Sequence, residues 1–251
     1  MTTTGTSNFN LQLNEIVEEA FERAGGELRT GYELRTARRS LNLLTIEWAN
    51  KGINLWTIEQ GSINMEQGRI TYPLPIDTID LLDHVIRTQS GLISQTDINI
   101  NRISVSTYAT IPNKNAQGRP IQVWINRQSG ATYPPGGEPA GTDLITGVDH
   151  PSINVWPAPD QGTQANPYYL VVYWRLRRLQ DAGNGTATED IPFRLLPALV
   201  AGLAYYIAMK IPEGAARLDM LKATYMEQWQ LAADEDREKA NLRLAPRQYF
   251  Y

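Results

Sequence analysis

Residues 30–60 read TGYELRTARRSLNLLTIEWANKGINLWTIEQ. In the first two thirds of this stretch Leu34, Ala37, Leu41, Leu44, Ile46 and Trp48 are apolar at helical intervals, and Arg35, Arg38 and Arg39 fall on other faces. The spacing predicts a helix that starts near Thr30 to Tyr32 and runs to about Asn50, with Lys51 and Gly52 as its C-terminal signal. After Gly52 the period changes and short β-rich runs begin. The fold is decided at this seam, where a helical part of the chain gives way to a β part. Upstream, Leu13, Ile16, Val17, Ala20 and Phe21 mark one face of an earlier helix over 11–23, which Gly25 and Gly26 stop. A short linker between two such helices predicts an antiparallel hairpin.

Downstream of Ile53 the strand-like runs are 55–60, 68–73, 81–88, 98–108, 120–126, 153–157 and 168–175. Turn-forming clusters at 112–118, 134–141 and 157–167 separate them. This section reads as a mostly antiparallel β domain with exposed loops. Residues 197–208, PALVAGLAYYIA, form a helix that is apolar nearly all round and therefore buried on most sides. A last helix is predicted over 214–241, with Leu218, Leu221, Tyr225, Trp229 and Ala232 on one face and a charged end at 234–239. Residues 242–251 contain Pro246 and read as an extended tail. The expected fold is α+β: a helical bundle built from N-terminal (1–52) and C-terminal (191–241) helices, a β-rich domain inserted at 53–190, and the tail at 242–251.

Composition narrows the function classes. A chain of 251 residues with 42% hydrophobic and 20% charged residues can bury a core and should fold over most of its length. The absence of cysteine excludes disulfides, thiolate metal sites and cysteine nucleophiles. A net charge of −4 supplies no global basic field for gripping a nucleic-acid backbone, although it suits a pore through which DNA slides. No apolar run approaches the roughly 20 residues that span a bilayer, so no membrane partner is expected. Residues 1–10 are Thr-rich and lack the basic and apolar regions of a signal peptide, which points to a protein made and used in a cytoplasm.

No catalytic constellation emerges from the residues. His84 and His150 have no second ligand at metal-site spacing and read as structural or surface residues. The acids Glu18 and Glu19, like Asp234, Glu235 and Asp236, are adjacent on helices and point in different directions, as solvated faces do. Asp77, Asp80 and Asp83 have a spacing of three that a cation could use on a helix. Ile76, Ile79, Leu81, Leu82, Val85 and Ile86 around them favour the edge of a strand instead. The glycines at 183–185 and 136–137 read as turns, because neither is followed by the lysine and helix of a phosphate loop. No serine sits in a Gly-x-Ser-x-Gly elbow. The residues therefore name no enzyme, cofactor or metal.

Two stretches read as contact surfaces. Arg175, Arg177 and Arg178 lie beside Trp174, a basic cluster that would suit a lumen, an interface with DNA or an acidic partner, or simply the charged end of a strand. The tail carries Leu242, Arg243, Leu244, Arg247, Tyr249, Phe250 and Tyr251, side chains of the type that anchor interfaces. A free chain end gains little by holding three aromatics in water. Either a groove on a partner or neighbouring subunit receives them, or the tail folds back on its own domain.

The text of residues 29–58, RTGYELRTARRSLNLLTIEWANKGINLWTI, resembles the N-terminal signature of the adaptor proteins of short-tailed bacteriophages, also called head-to-tail connector proteins. Similar features are the Tyr72-Pro73-Leu74-Pro75 turn with the run to Arg87, the Val155-Trp156-Pro157-Ala158-Pro159 segment, and the helix at 196–210 leading to a charged C-terminal helix. The resemblance implies a structural protein that forms a ring, usually of twelve copies, below the portal protein. Such a ring extends the DNA channel, lets genomic DNA pass without sequence-specific binding, and presents its lower face to the tail nozzle protein. Its place is the virion, at the head-to-tail interface, after assembly in the host cytoplasm. In similar proteins the C-terminal segment reaches into the portal, which corresponds here to about 241–251, and many are monomeric until the portal templates them. A different component with a similar frame, such as a nozzle or head-completion protein, would bind the adaptor rather than the portal. A tail-borne cell-wall hydrolase would need two facing carboxylates, which no Glu or Asp context singles out.

Overall fold

The structure is a computed structural model that describes residues 5, 11–52, 55–127, 151–180 and 188–237. The described chain is an α+β protein. In order it forms α1 (Leu13–Ala24), α2 (Gly31–Lys51), β1 (Ile58–Asn64), β2 (Thr71–Pro73), β3 (Thr78–Thr88), β4 (Thr96–Asn99), β5 (Asn101–Arg102) and α3 (Val105–Ala109). These are followed by β6 (Gln122–Asn126), β7 (Ser152–Trp156), β8 (Tyr169–Arg177), α4 (Leu196–Ala208) and α5 (Leu218–Glu235). Short 3-10 turns lie at Leu55–Thr57, Phe193–Leu195 and Pro212–Arg217. The chain divides into two units, one made of 1–56 with 179–251 and the other of 57–178. None of the described helices is long and apolar enough to cross a membrane.

In the helical unit both N-terminal helices are set by local chemistry. Thr30 caps α2: its Oγ1 accepts from the Glu33 N–H at 3.3 Å, and Glu33 Oε2 accepts from the Thr30 N–H at 2.8 Å. This exchange satisfies donors that the first turn would otherwise leave open. Gly52 then takes a left-handed conformation, φ 84°, which closes the helix at little steric cost. Gln12 with Glu15 and Gly25 delimit α1 in the same way.

The core of this unit is organised around α4, which packs against α1, α2 and α5. Leu199, Leu203 and Ala204 are fully buried there with Ile16, Val17, Leu41, Leu44 and Trp48. Gly202 permits the closest approach: a Cβ there would lie 2.9 Å from both Leu44 and Tyr225 side-chain carbons. A polar belt crosses the core. Trp48 Nε1 donates to Tyr225 Oη at 3.2 Å, and the Tyr225 and Tyr206 hydroxyls both donate to Glu47, which also pairs with Lys51. Burial pushes the Tyr206 phenol up to about 12 and the Tyr225 phenol higher still, so both stay protonated donors. Burial alone would raise Glu47, but the hydrogen bonds from Lys51, Tyr206 and Tyr225 outweigh it and hold the carboxyl below its ordinary value.

The β unit contains two four-stranded sheets, in the orders β1-β8-β3-β4 and β2-β7-β6-β5. All pairs are antiparallel except β5 with β6. Inward residues of both sheets share one core. Leu81, Ile86, Val171 and Tyr173 come from the first sheet; Tyr72, Val123, Ile153 and Val155 come from the second. β3 carries two irregularities, between Thr78 and Asp80 and between Leu81 and Asp83. The second shifts the buried face from Leu81 to His84 and Ile86, and beyond Asp83 the pairing with β8 is regular.

Three sequence expectations change. The run 98–108 is not one strand: it breaks into the end of β4, then β5, then α3, whose Ser104 Oγ accepts from the Thr107 N–H at 3.2 Å. Residues 55–57 form a 3-10 turn before β1 rather than its first residues. The last helix begins as the 3-10 turn 212–217 and becomes α-helical at Leu218. Residues 238–241 of that expectation, the loop at 134–141, His150, and the tail residues Leu242, Arg243, Leu244, Arg247, Tyr249, Phe250 and Tyr251 lie outside the described residues.

Candidate interaction surfaces

The basic cluster at the end of β8 is divided by the alternation of the strand. Arg175 and Arg177 point to one side, where Glu59 of the neighbouring β1 lies opposite Arg175 in register. Arg175 bonds Glu59 at 2.7 Å and Asp77 on its other nitrogen, and Arg177 reaches the second Glu59 oxygen at 2.7 Å. Both guanidinium side chains are largely buried, 12% and 13% exposed. They fasten β8 to β1 and to the chain ahead of β3. The Arg175 hydrogen bond holds the Asp77 carboxyl below its ordinary value, against the opposing effect of burial. Arg178, beyond the strand, is exposed, and its backbone N–H donates to the Asp77 carbonyl at 2.7 Å. Of the three arginines, only Arg178 presents a side chain to solvent.

Asp77, Asp80 and Asp83 are drawn to separate partners. Asp77 serves Arg175, Asp80 pairs with Arg102 at 2.8 Å and Arg127 at 3.2 Å, and Asp83 Oδ1 accepts the His84 N–H at 2.8 Å. Among the described residues no group of three His, Asp or Glu side chains is placed to hold a metal ion. His84 is buried in β3, and desolvation lowers its pKa with a smaller push from Arg102, while Asp83 and the Ile100 backbone act in the other direction. Glu19 pairs with Arg23 one turn away. Asp234 pairs with Arg237 and Glu235 lies 4.0 Å from Arg194, whereas Asp236 is buried and accepts the Leu55 N–H at 3.3 Å.

The surface that sequence reading passed over lies on α2. Its buried side is Ala37, Leu41, Leu44 and Trp48; its exposed side is Tyr32, Arg35, Arg39, Leu43, Ile46 and Asn50. Those six positions step by three or four, which makes a second stripe along the helix. Tyr32, Leu43 and Ile46 are each more than half exposed. Two shallow grooves of about 550 and 560 Å³ flank the stripe and share Tyr32 and Arg39. Arg35 and Arg38 line the first, and Lys210 lines the second. The Lys210 amine donates to Ser40 Oγ at 2.6 Å, and burial, reinforced by the Arg39 charge, lowers its pKa. Arg35, Arg38 and Arg39 make no ion pair among the described residues. The available signal was the stripe itself: an Arg-rich helical row interleaved with Tyr, Leu and Ile.

A second such face lies on α5, opposite its buried Leu221, Tyr225 and Ala232. It exposes Met220, Met226 and Leu231, each more than half accessible, together with Asp219, Glu227 and Asp234. Both faces belong to the helical unit. Comparison with protein-family models finds no match, and no curated protein matches the chain.

Proposed function

We propose that the chain is the head-to-tail adaptor of a short-tailed phage particle. Copies of it form a ring, with twelve as the expected number, that joins the portal protein above to the tail nozzle protein below. The ring extends the channel, and genomic DNA passes through it without sequence-specific binding. The observation that carries this reading is on α2, the helix within the 29–58 block that resembles the adaptor signature. That helix buries one side in the unit's core and turns Tyr32, Leu43 and Ile46 outward among arginines. Large apolar side chains in a row on a surface helix suit assembly better than solvent.

The rest of the molecule fits the same reading. An adaptor has no transition state to stabilise, and in the β unit Arg175 and Arg177 tie strands together. The tail residues Leu242 to Tyr251 are the portal-docking segment in this proposal. The test is to mix the purified chain with its phage's portal, full length and truncated after Asn241, and to follow sedimentation and negative-stain images. A ring that forms on the portal only with the tail present is the expected result. A chain that ignores the portal and binds another tail protein would move the assignment to a nozzle or completion component, and lysis of purified cell walls would replace it with an enzyme.

A further inference from the structure

We propose that the α2 stripe of one copy seats on the α5 face of the next, so that these two surfaces form one head-to-tail contact between neighbouring subunits. The inference rests on the ring reading and adds which faces meet. Three observations carry it. The charges are complementary: Arg35, Arg38 and Arg39 stand on one surface, and Asp219 and Glu227 on the other, beside Asp234, which is shared with Arg237. The apolar side chains interleave with those charges on both surfaces, Tyr32, Leu43 and Ile46 against Met220, Met226 and Leu231. The lengths agree, since Tyr32 to Ile46 spans about 21 Å of helix and Asp219 to Asp234 about 22 Å.

Charge also selects which surfaces pair. Two α2 stripes facing each other would oppose arginine to arginine, and two α5 faces would oppose acid to acid. Only the mixed pairing places opposite charges together, and when two copies make it once, one α2 stripe and one α5 face stay free at the ends of the pair. A contact of that kind propagates and closes into a ring when the rotation per copy allows it. One helix pair buries less than the roughly 1,200–2,000 Å² of a stable complex, so the contact is weak in free solution and strengthens when a template gathers copies.

The chain has no cysteine, so introduced thiols are unique. Full-length Leu43→Cys and Met226→Cys chains, both altered at exposed positions, are to be mixed under mild oxidation. The expected result is a disulfide-linked dimer in the mixture at least tenfold above that of either chain alone. Adding Arg35→Glu and Arg39→Glu to the first chain should abolish the cross-link. Adding Asp219→Lys and Glu227→Lys to the second chain as well should restore it. Circular dichroism of each variant confirms that folding is unchanged. A mixture no better than the separate chains, or a cross-link indifferent to charge reversal, overturns the proposal. Retention of the unmodified chain on duplex DNA, lost with Arg35→Glu and Arg39→Glu and unaccompanied by the cross-link, also overturns it and assigns α2 to phosphates. If the unmodified chain still rings the portal when the cross-link fails, only this pairing falls; if it does not, the adaptor reading falls with it.

Discussion

The two units treat charge in opposite ways. In the β unit, Arg175 and Arg177 are drawn into the sheet and neutralised by Glu59 and Asp77, so the basic end of β8 fastens strands together. In the helical unit the carboxylate of Glu47 is held by two tyrosines and Lys51, while the α2 arginines stay outside without ion pairs among the described residues. The reason lies in geometry. A sheet brings residues distant in sequence into register, so oppositely charged groups on adjacent strands meet. A surface helix offers its outer row only to solvent or to another molecule. Basic residues that look alike in the sequence thus become struts in one unit and a free surface in the other.

The contrast can be broken first at its most buried points. Trp48→Ala removes a fully buried indole and the donor to Tyr225, and should cost about 4 kcal/mol of unfolding free energy in urea titration. A loss below about 1 kcal/mol would mean that Trp48 does not tie α2 to α5 as described. Next comes Arg175→Met, which leaves Glu59 and Asp77 without their shared partner and should cost about 2 kcal/mol. Arg35→Met on the α2 stripe should change stability by less than about 0.5 kcal/mol. Equal effects from these two substitutions would erase the distinction between strut and free surface.

Smaller effects sharpen the picture within the β unit. Gly61 lies opposite Tyr173 in register, and a Cβ there would stand 2.4 Å from the tyrosine ring. Gly61→Ala should therefore cost about 1.5 kcal/mol through overpacking, and most of that cost should vanish when Tyr173→Leu is combined with it. A double-mutant cycle with no coupling would exclude the close approach. The smallest effect is a pH dependence. The folded-state pKa of His84 lies below its ordinary 6.5, so the unfolded chain binds the proton first. Stability is then full above about pH 6.5 and falls as pH drops from there toward the folded pKa. Asp77 acts lower, since its depressed pKa gives stability that is present above about pH 3.8 and lost as pH falls through the folded value. Denaturation midpoints measured from pH 7.5 to 5 should decline, and His84→Gln should flatten that decline while leaving the acid limb below pH 4 in place.

Much of the helical unit was legible because its signals are local. Leu13 to Phe21 and Leu34 to Trp48 repeat at the helical period, and Gly25 and Gly52 sit where left-handed caps are required, so α1 and α2 followed from neighbours in the chain. The continuous apolar run at 197–208 likewise indicated a buried α4. The break inside 98–108 escaped because its β-branched residues favour a strand, while Ser104 and Thr107 pair to start a helical turn. The surface on α2 escaped for another reason: the apolar period draws attention to the buried side, and the exposed Tyr32, Leu43 and Ile46 stand out only once the core has claimed the other residues.

By itself the sequence determined the α+β class, the positions of α1, α2 and α4, and most of the strands, because periodicity, caps and turn residues act within a few positions. The fate of the charged residues was decided only by tertiary structure. Arg175 finds Glu59 across 116 residues and Asp77 across 98, and no local pattern encodes a pairing set by sheet order and register. The same holds for α5, where Leu221 and Tyr225 turn inward because α4 lies against them, which leaves Met220, Met226 and Leu231 facing outward among acids. Burial on one side of a helix creates the surface on the other, and only packing shows which side is which.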